Sequence, residues 1–217
     1  MELMQFADIC DAILDMQRDL KRVIVAIDGM AGAGKTTLAN ALKAAFPKTD
    51  IIHMDDFYLP KALRNAERMA EPGGHMDTER FAEEVAMPIW KGLVPRYRVF
   101  DCASQSFTEA VACTADAELC VVEGTYSTHP SIPDVYDLRI FVQADDTVCM
   151  ERIRSRAQSE WEIEMFEKEW IPAERLYFDS YMTKELSEMI YDGGRDEDFS
   201  WTPPAFDSED LLPYIGE

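Results

Sequence analysis

The chain of 217 residues is short of positive charge. It has 21 lysines and arginines against 42 aspartates and glutamates, which gives a formal net charge of −21 at pH 7. Nucleic-acid backbones and anionic membrane surfaces would repel such a chain, so we expect neither as a partner. Any site that takes an anionic ligand must therefore make its own local positive field.

Paired cysteines and long apolar runs are also missing. The five cysteines form no C-x-x-C pair and are odd in number, which favours buried thiols in a reducing compartment over disulfides or zinc. No apolar run approaches membrane-spanning length, and residues 1–5 lack the basic region of a signal peptide. The three histidines stand in no metal-ligand spacing. We expect a cytoplasmic protein with one α/β domain over residues 1–217.

One glycine-rich stretch carries a specific chemical signal. Residues 29–36 fit G-x-x-x-x-G-K-[ST], between the β-branched apolar run 23–27 and a strong helix former at 38–46. In that context backbone N–H groups and a helix N-terminus surround a phosphate, Lys35 reaches the β- and γ-phosphates and the Thr36 hydroxyl ligates Mg²⁺. The sequence therefore predicts an ATP and Mg²⁺ site at Gly29, Ala31, Gly32, Ala33, Gly34, Lys35, Thr36 and Thr37.

A second predicted strand, residues 50–55, ends in Asp55 and is followed directly by Asp56. Ligands of open parallel sheets lie beyond the carboxyl ends of the strands, so Asp55 can accept a proton from a hydroxyl that attacks the γ-phosphate. The alternative is that Asp55 or Asp56 only caps the helix that begins near Pro60. We assign capping to Asp56 and chemistry to Asp55, and we expect the tip of this strand to neighbour the phosphate loop.

Two further predicted strands add charged candidates. The run 119–124 places Glu123 at the end of a buried strand, the form of a Walker B element, where the carboxylate would orient Mg²⁺ or its waters; the alternative is an unpaired strand-end carboxylate. After the strand 138–142, a helix carries Arg152, Arg154 and Arg156. We favour Arg152 and Arg156 as groups that neutralise a transferring phosphate; the alternatives are Arg154 and a purely solvated helix end.

The phosphate loop and the segment from Met54 to Tyr58 together resemble the uridine kinase group of P-loop kinases, which includes nicotinamide riboside kinase, pantothenate kinase and phosphoribulokinase. The resemblance implies a three-layer α/β P-loop nucleoside triphosphate hydrolase fold of the nucleotide kinase type, with a parallel central sheet and a helical lid at about 150–175. It implies transfer of the ATP γ-phosphate to a nucleoside such as uridine or cytidine. It places the catalytic base on Asp55 and puts Tyr58 near the acceptor.

The resemblance also suggests acceptor contacts, each with a plain structural alternative. Asp77 would hold ribose hydroxyls or would only cap a helix over 77–90. Tyr97, in a hairpin of 94–101 and 105–114, would stack on a ring or would only pack on its strand. His75 is a third candidate acceptor contact, from its position beside Asp77 and not from the resemblance; the favoured interpretation of the three histidines is that they are buried or surface residues without a special role.

Some family features are absent. The His-Pro that should follow Asp77 is missing, Arg98 replaces an aspartate, and the lid segment 158–162 is acidic. The small-molecule acceptor is therefore open: another alcohol, such as nicotinamide riboside, pantothenate or a sugar acid, is the alternative. A nucleotide-dependent regulatory protein is a more distant one, since no Asn-Lys-x-Asp is present.

The remaining patterns predict the outer elements. Residues 2–20 have helical spacing and would pack on the sheet or, as the alternative, form a homo-oligomer contact. A long helix over 160–181 and a last strand at 189–192 follow. The acidic tail 193–217 contains Trp201, Phe206, Leu211, Leu212 and Ile215 and should dock on the body of the protein.

Overall fold

Six parallel strands form the main sheet of the computed structural model, which describes residues 3–195 and 199–204, apart from the side chains of 109, 110 and 112. Their order is β1-β8-β7-β2-β6-β3, and a two-stranded antiparallel hairpin, β4-β5, stands apart from them. The strands are β1 (Leu3–Met4), β2 (Val23–Gly29), β3 (Thr49–His53), β4 (Arg96–Asp101), β5 (Ser106–Ala112), β6 (Leu119–Glu123), β7 (Leu138–Gln143) and β8 (Met189–Asp192).

Helices connect these strands. The α-helices are α1 (Phe6–Met16), α2 (Lys35–Ala45), α3 (Ala66–Ala70), α4 (Thr78–Phe81), α5 (Met87–Trp90), α6 (Asp146–Arg156), α7 (Glu160–Met165) and α8 (Ile171–Tyr181). Two 3₁₀ turns, Met54–Phe57 and Lys61–Leu63, follow β3. No helix in the described ranges combines the length and apolarity needed to cross a bilayer.

Alternate residues of the central strand β2 face two separate hydrophobic clusters. Val23, Val25 and Ile27 pack with α1 and α2, whereas Ile24 packs with the helix over 78–90 and with α8. All seven residues of β2 are buried, as expected for a parallel strand covered on both faces. The predicted three-layer arrangement is confirmed.

Two predicted helices contain a π-helical turn, and each turn precedes a proline. Ala82–Ala86 leads into Pro88, and Phe166–Trp170 leads into Pro172. A proline inside a helix lacks an N–H and collides with the carbonyl four residues earlier, which a wider π turn relieves. Each helix continues through its proline, so the predicted spans 77–90 and 160–181 hold.

Three expectations about the outer chain need correction or completion. The predicted helix 2–20 is too long at both ends, because Leu3–Met4 is a strand that pairs with β8 and α1 ends at Met16. Asp56 does not cap the helical turn near Pro60. It lies inside the 3₁₀ turn Met54–Phe57, and the N-cap of the following turn, Lys61–Leu63, is Pro60 itself. In the tail, Trp201 donates from Nε1 to Asp11 at 2.9 Å; Phe206, Leu211, Leu212 and Ile215 lie outside the described residues.

A buried carboxylate joins the sheet to the loops above it. Asp28, the last residue of β2 before Gly29, has no solvent exposure. It accepts hydrogen bonds from the Tyr126 amide at 3.2 Å, from the Thr128 hydroxyl at 2.7 Å and from the Tyr177 hydroxyl at 2.8 Å. Asp28 thus ties the loop after β6 and helix α8 to the start of the phosphate loop.

We predict that Asp28→Asn lowers the free energy of unfolding by about 3 kcal/mol, because one carboxylate oxygen becomes an amide that faces buried donors. Chemical denaturation of the variant and of the exposed control Asp19→Asn measures the difference. Equal stability of the two variants would show that the network is dispensable.

Candidate active site

The phosphate loop needs glycine where other backbone presses against it. Gly29 has φ +143°, and a Cβ there would lie 2.2 Å from the Val142 carbonyl oxygen of the neighbouring strand. Gly34 has φ +110° and is the N-cap of α2. Because a side chain would be strained at both positions, the glycines set the path of the loop and deliver its amides to the helix N-terminus.

The Lys35 ammonium is folded back over the loop. Its Nζ donates to the carbonyl oxygens of Gly29 at 2.7 Å and Met30 at 3.0 Å, and to the Thr125 hydroxyl at 3.2 Å. The residue is 9% exposed. The three acceptors of this ammonium are all neutral oxygen atoms, so none of them balances its charge. A phosphate that reaches the loop can therefore offer the ammonium a stronger, charge-assisted contact.

Glu123 ends β6 directly beside the loop. The Thr36 hydroxyl donates to its carboxylate at 3.2 Å, and His53 Nδ1 lies 2.5 Å from its Oε1. This hydrogen bond raises the pKa of His53. Thr36 and Glu123 would supply the hard oxygen atoms that Mg²⁺ prefers. Because Mg²⁺ in proteins usually keeps several water and phosphate ligands, two protein groups would be enough to hold it here. The described residues contain no cluster of three or more His, Cys, Asp or Glu side chains that could hold a metal alone.

The order of the strands corrects one prediction. β6 lies between β2 and β3, so the tip that carries Asp55 is not the immediate neighbour of the phosphate loop. In the β3–β6 register His53 stands opposite Glu123, and the 3₁₀ turn with Asp55 follows at once. Glu123 therefore stands between the loop and the predicted base.

Asp55 is exposed and accepts a hydrogen bond from the Tyr58 hydroxyl at 3.2 Å. Burial raises the pKa of Tyr58, so this phenol remains a donor at neutral pH. The Tyr58 ring stacks on His75, with centroids 5.9 Å apart, and His75 meets the edge of Tyr126 at 4.8 Å. The structure thus brings together Asp55, Tyr58 and His75, three predicted acceptor-side residues.

Asp77 forms the capping contact that was its structural alternative. Its carboxylate accepts from the Arg80 amide at 3.1 Å and from Arg80 Nε at 3.3 Å. Arg80 is itself buried, and it also donates to the Asp56 and Arg98 carbonyl oxygens at 2.6 Å each. Asp77 thus anchors a buried arginine; its role in ribose binding remains a prediction.

Tyr97 lies in the core. It is 4% exposed, and its ring packs 5.2 Å from that of Phe57. A ring buried in this way offers no free face to a ligand, so the packed-strand alternative describes Tyr97. The hairpin itself is present as predicted.

The three arginines of α6 point to different partners. Arg152 donates from Nη1 to the Gly32 and Ala33 carbonyl oxygens of the phosphate loop, at 3.1 and 3.4 Å. Arg154 forms an ion pair with Glu167 at 2.7 Å. Arg156 is exposed, with its guanidinium 5.7 Å from the Phe166 ring centroid. Of the two favoured arginines, only Arg152 touches the loop.

Sequence reasoning missed several polar residues that contact this site: Asp28, His53, Thr125 and Glu174. An acid inside an apolar strand was a usable signal for Asp28, and the position at the end of β3 was one for His53. No local pattern marks Glu174, since it reaches the loop only through the packing of α8.

Known proteins resemble this chain in sequence and in fold. The sequence profile of a family described as an AAA domain matches residues 25–172. Uridine kinase from Ureaplasma parvum is 26% identical over 138 residues, 60% of this chain and 66% of that protein. Nicotinamide riboside kinase 2 from Mus musculus is 30% identical over 139 residues, 62% of this chain and 68% of that protein.

The chain belongs to this P-loop family, in the group of uridine kinase and nicotinamide riboside kinase. The match spans slightly less than two thirds of the Ureaplasma enzyme.

Solved structures of P-loop kinases share the fold. A possible uridine kinase from Bacillus stearothermophilus superposes with a TM-score of 0.61 at 16% identity, over 85% of this chain and all of that one. D-glycerate 3-kinase from Cryptococcus neoformans gives 0.57 at 12% identity, over 80% and 88%.

His75 should make the stability of the protein pH-dependent. Burial lowers its pKa to about 4, whereas an unfolded histidine titrates near 6.5, so the unfolded state binds more protons between these values. The stabilisation is complete above pH 6.5 and is lost as the pH falls toward 4.

We predict that the native protein loses about 2 kcal/mol more unfolding free energy between pH 7.5 and pH 5 than His75→Phe, which keeps a ring but cannot titrate. Urea denaturation at the two pH values gives the comparison. Parallel losses in both proteins would mean that His75 titrates normally.

Proposed function

We propose that the chain is an ATP-dependent small-molecule kinase that transfers the γ-phosphate of ATP to a hydroxyl of a nucleoside-like acceptor. The observation that carries the proposal is the spatial order of the functional groups along one edge of the sheet. Lys35 and Thr36 follow β2, Glu123 ends β6, and Asp55 follows β3. Such an edge can hold a triphosphate and a proton acceptor on the same side of the sheet.

Each residue then has one task in the transfer. Asp55 accepts the proton of the attacking hydroxyl, and Tyr58 holds the carboxylate of Asp55 in place through its hydrogen bond. Lys35 leaves its carbonyl partners for the β- and γ-phosphates, where a charge-assisted contact is stronger. Arg152, already on the loop, neutralises charge on the transferring group. Mg²⁺, held by Thr36 and oriented by Glu123, would supply further charge neutralisation at the phosphates.

The acceptor is proposed from the relatives. Uridine kinases and nicotinamide riboside kinases both act on nucleosides by their names, and aromatic rings of Tyr58 and His75 beside Asp55 suit a planar base. Nicotinamide riboside is the second candidate, supported by the 30% identity to the mouse enzyme. The D-glycerate kinase neighbour shares only the fold.

A panel assay tests the acceptor. We predict ADP release with MgATP and uridine, cytidine or nicotinamide riboside at a rate at least about tenfold above that with D-glycerate or pantothenate, because only the former carry a base to stack. Release that is equal with and without every alcohol would indicate a nucleotide hydrolase or switch and contradict the kinase assignment.

Removal of the proposed proton acceptor, the Asp55 carboxylate, gives a sharper test. We predict that Asp55→Asn lowers kcat at least about 100-fold, since the amide cannot take the proton, while the affinity for MgATP stays within about threefold. Single-turnover transfer and nucleotide titration separate the two effects, with Lys35→Ala as the variant that should lose nucleotide affinity as well. Full turnover by Asp55→Asn would move the base elsewhere, first to Asp56.

A further inference from the structure

Glu174 is a buried carboxylate that the mechanism above does not use. It lies in α8, is 6% exposed, and accepts a hydrogen bond from the Ala31 amide of the phosphate loop at 2.9 Å. Its other oxygen lies 3.5 Å from the Thr125 hydroxyl. Burying a carboxylate costs free energy, so a single good amide contact is a weak structural reason for it.

Thr125 connects this carboxylate to the lysine of the loop. Its hydroxyl donates to the Gly29 carbonyl oxygen at 2.9 Å and accepts from Lys35 Nζ at 3.2 Å. Glu174, Thr125 and Lys35 therefore form one continuous polar chain behind the phosphate loop. Whatever draws Lys35 away changes the charge that Glu174 faces.

We propose that Glu174 is a positioning residue for the phosphate loop, which it holds through the Ala31 amide while it opposes the Lys35 charge across Thr125. The inference rests on the proposed function only in requiring that the loop binds MgATP. A neutral side chain of the same shape can still accept from the Ala31 amide, so the hold on the loop and the charge can be separated by mutation.

The charge should make nucleotide affinity depend on pH. Burial raises the pKa of Glu174 to about 6. The charged groups that face it are Lys35, whose charge lowers this pKa, and Asp28 and Asp55, which raise it. A bound triphosphate withdraws Lys35 and adds negative charge, so the pKa rises further and Glu174 takes up a proton from solvent. Affinity should then fall as the pH rises from 6 to 8.

The test is calorimetric titration of the full chain with the non-hydrolysable β,γ-imido analogue of ATP and excess Mg²⁺ at pH 6, 7 and 8. We expect the native affinity to fall about tenfold from pH 6 to pH 8. Glu174→Gln, which resembles the protonated acid, should keep at pH 8 the affinity that the native chain has at pH 6. Glu174→Ala, which lacks the charge and also releases the Ala31 amide, should bind about tenfold or more weakly than Glu174→Gln at every pH.

The exposed residue Glu185 supplies the matched control, since Glu185→Gln removes one carboxylate outside this site and should follow the native pH profile. If Glu174→Gln also follows that profile, or if Glu174→Ala binds as tightly as Glu174→Gln, the positioning role is overturned while the kinase proposal stands. If the native chain binds no analogue at any pH, both proposals fall. Because Glu174→Gln keeps the shape of the buried side chain, it decides the question even where Glu174→Ala does not fold.

Discussion

The position of the phosphate loop relative to the loop after β6 and to helix α8 depends on one buried carboxylate, Asp28. A charge with no solvent contact is tolerable only when several donors satisfy it. Its donors come from the loop after β6 and from α8, as well as from the Gly29 amide at 2.7 Å. The carboxylate therefore defines where two separate segments, the loop after β6 and helix α8, stand relative to Gly29, the first glycine of the phosphate loop.

Electrostatics explain how so acidic a chain can hold a triphosphate. Most of the 42 acids are solvated, and water and salt screen them beyond about 10 Å. Within the loop the field comes from backbone amides, the N-terminus of α2 and the Lys35 ammonium. Arg152 adds a guanidinium that contacts the loop through the Gly32 and Ala33 carbonyl oxygens. The phosphate loop thus presents positive groups although the protein as a whole is acidic.

Sequence patterns predicted the parts of the fold that local rules determine. Apolar runs, glycines and the proline after residue 46 predicted the positions of five elements: β2, β6, β7, β8 and α2. β1 escaped notice because its two residues cannot establish a period of two, and they stand at the start of a helical pattern. The long helices were found, but their π turns arise from proline sterics that a periodicity does not register.

The site was predicted less completely, because its contacts depend on strand order and on helix packing. No local signal indicates that β6 separates β2 from β3, and the expectation of neighbouring tips failed for that reason. Tyr97 illustrates a second limit. An aromatic residue on a strand looks the same in sequence whether it faces a ligand or a core, and only its contact with Phe57 decides.

The helix that ends in α8 connects the acidic segment 158–162 to the phosphate loop. It runs from α7 through the π turn into α8 without a break in helical backbone, and one of its buried side chains, Glu174, holds a phosphate-loop amide. Tyr177, one turn later, donates to Asp28. Because these parts form one continuous helix, Glu174 and Tyr177 hold the chain on both sides of Gly29 from a single, nearly rigid element. The path of the phosphate loop therefore depends on the packing of α8 as well as on the glycines of the loop itself.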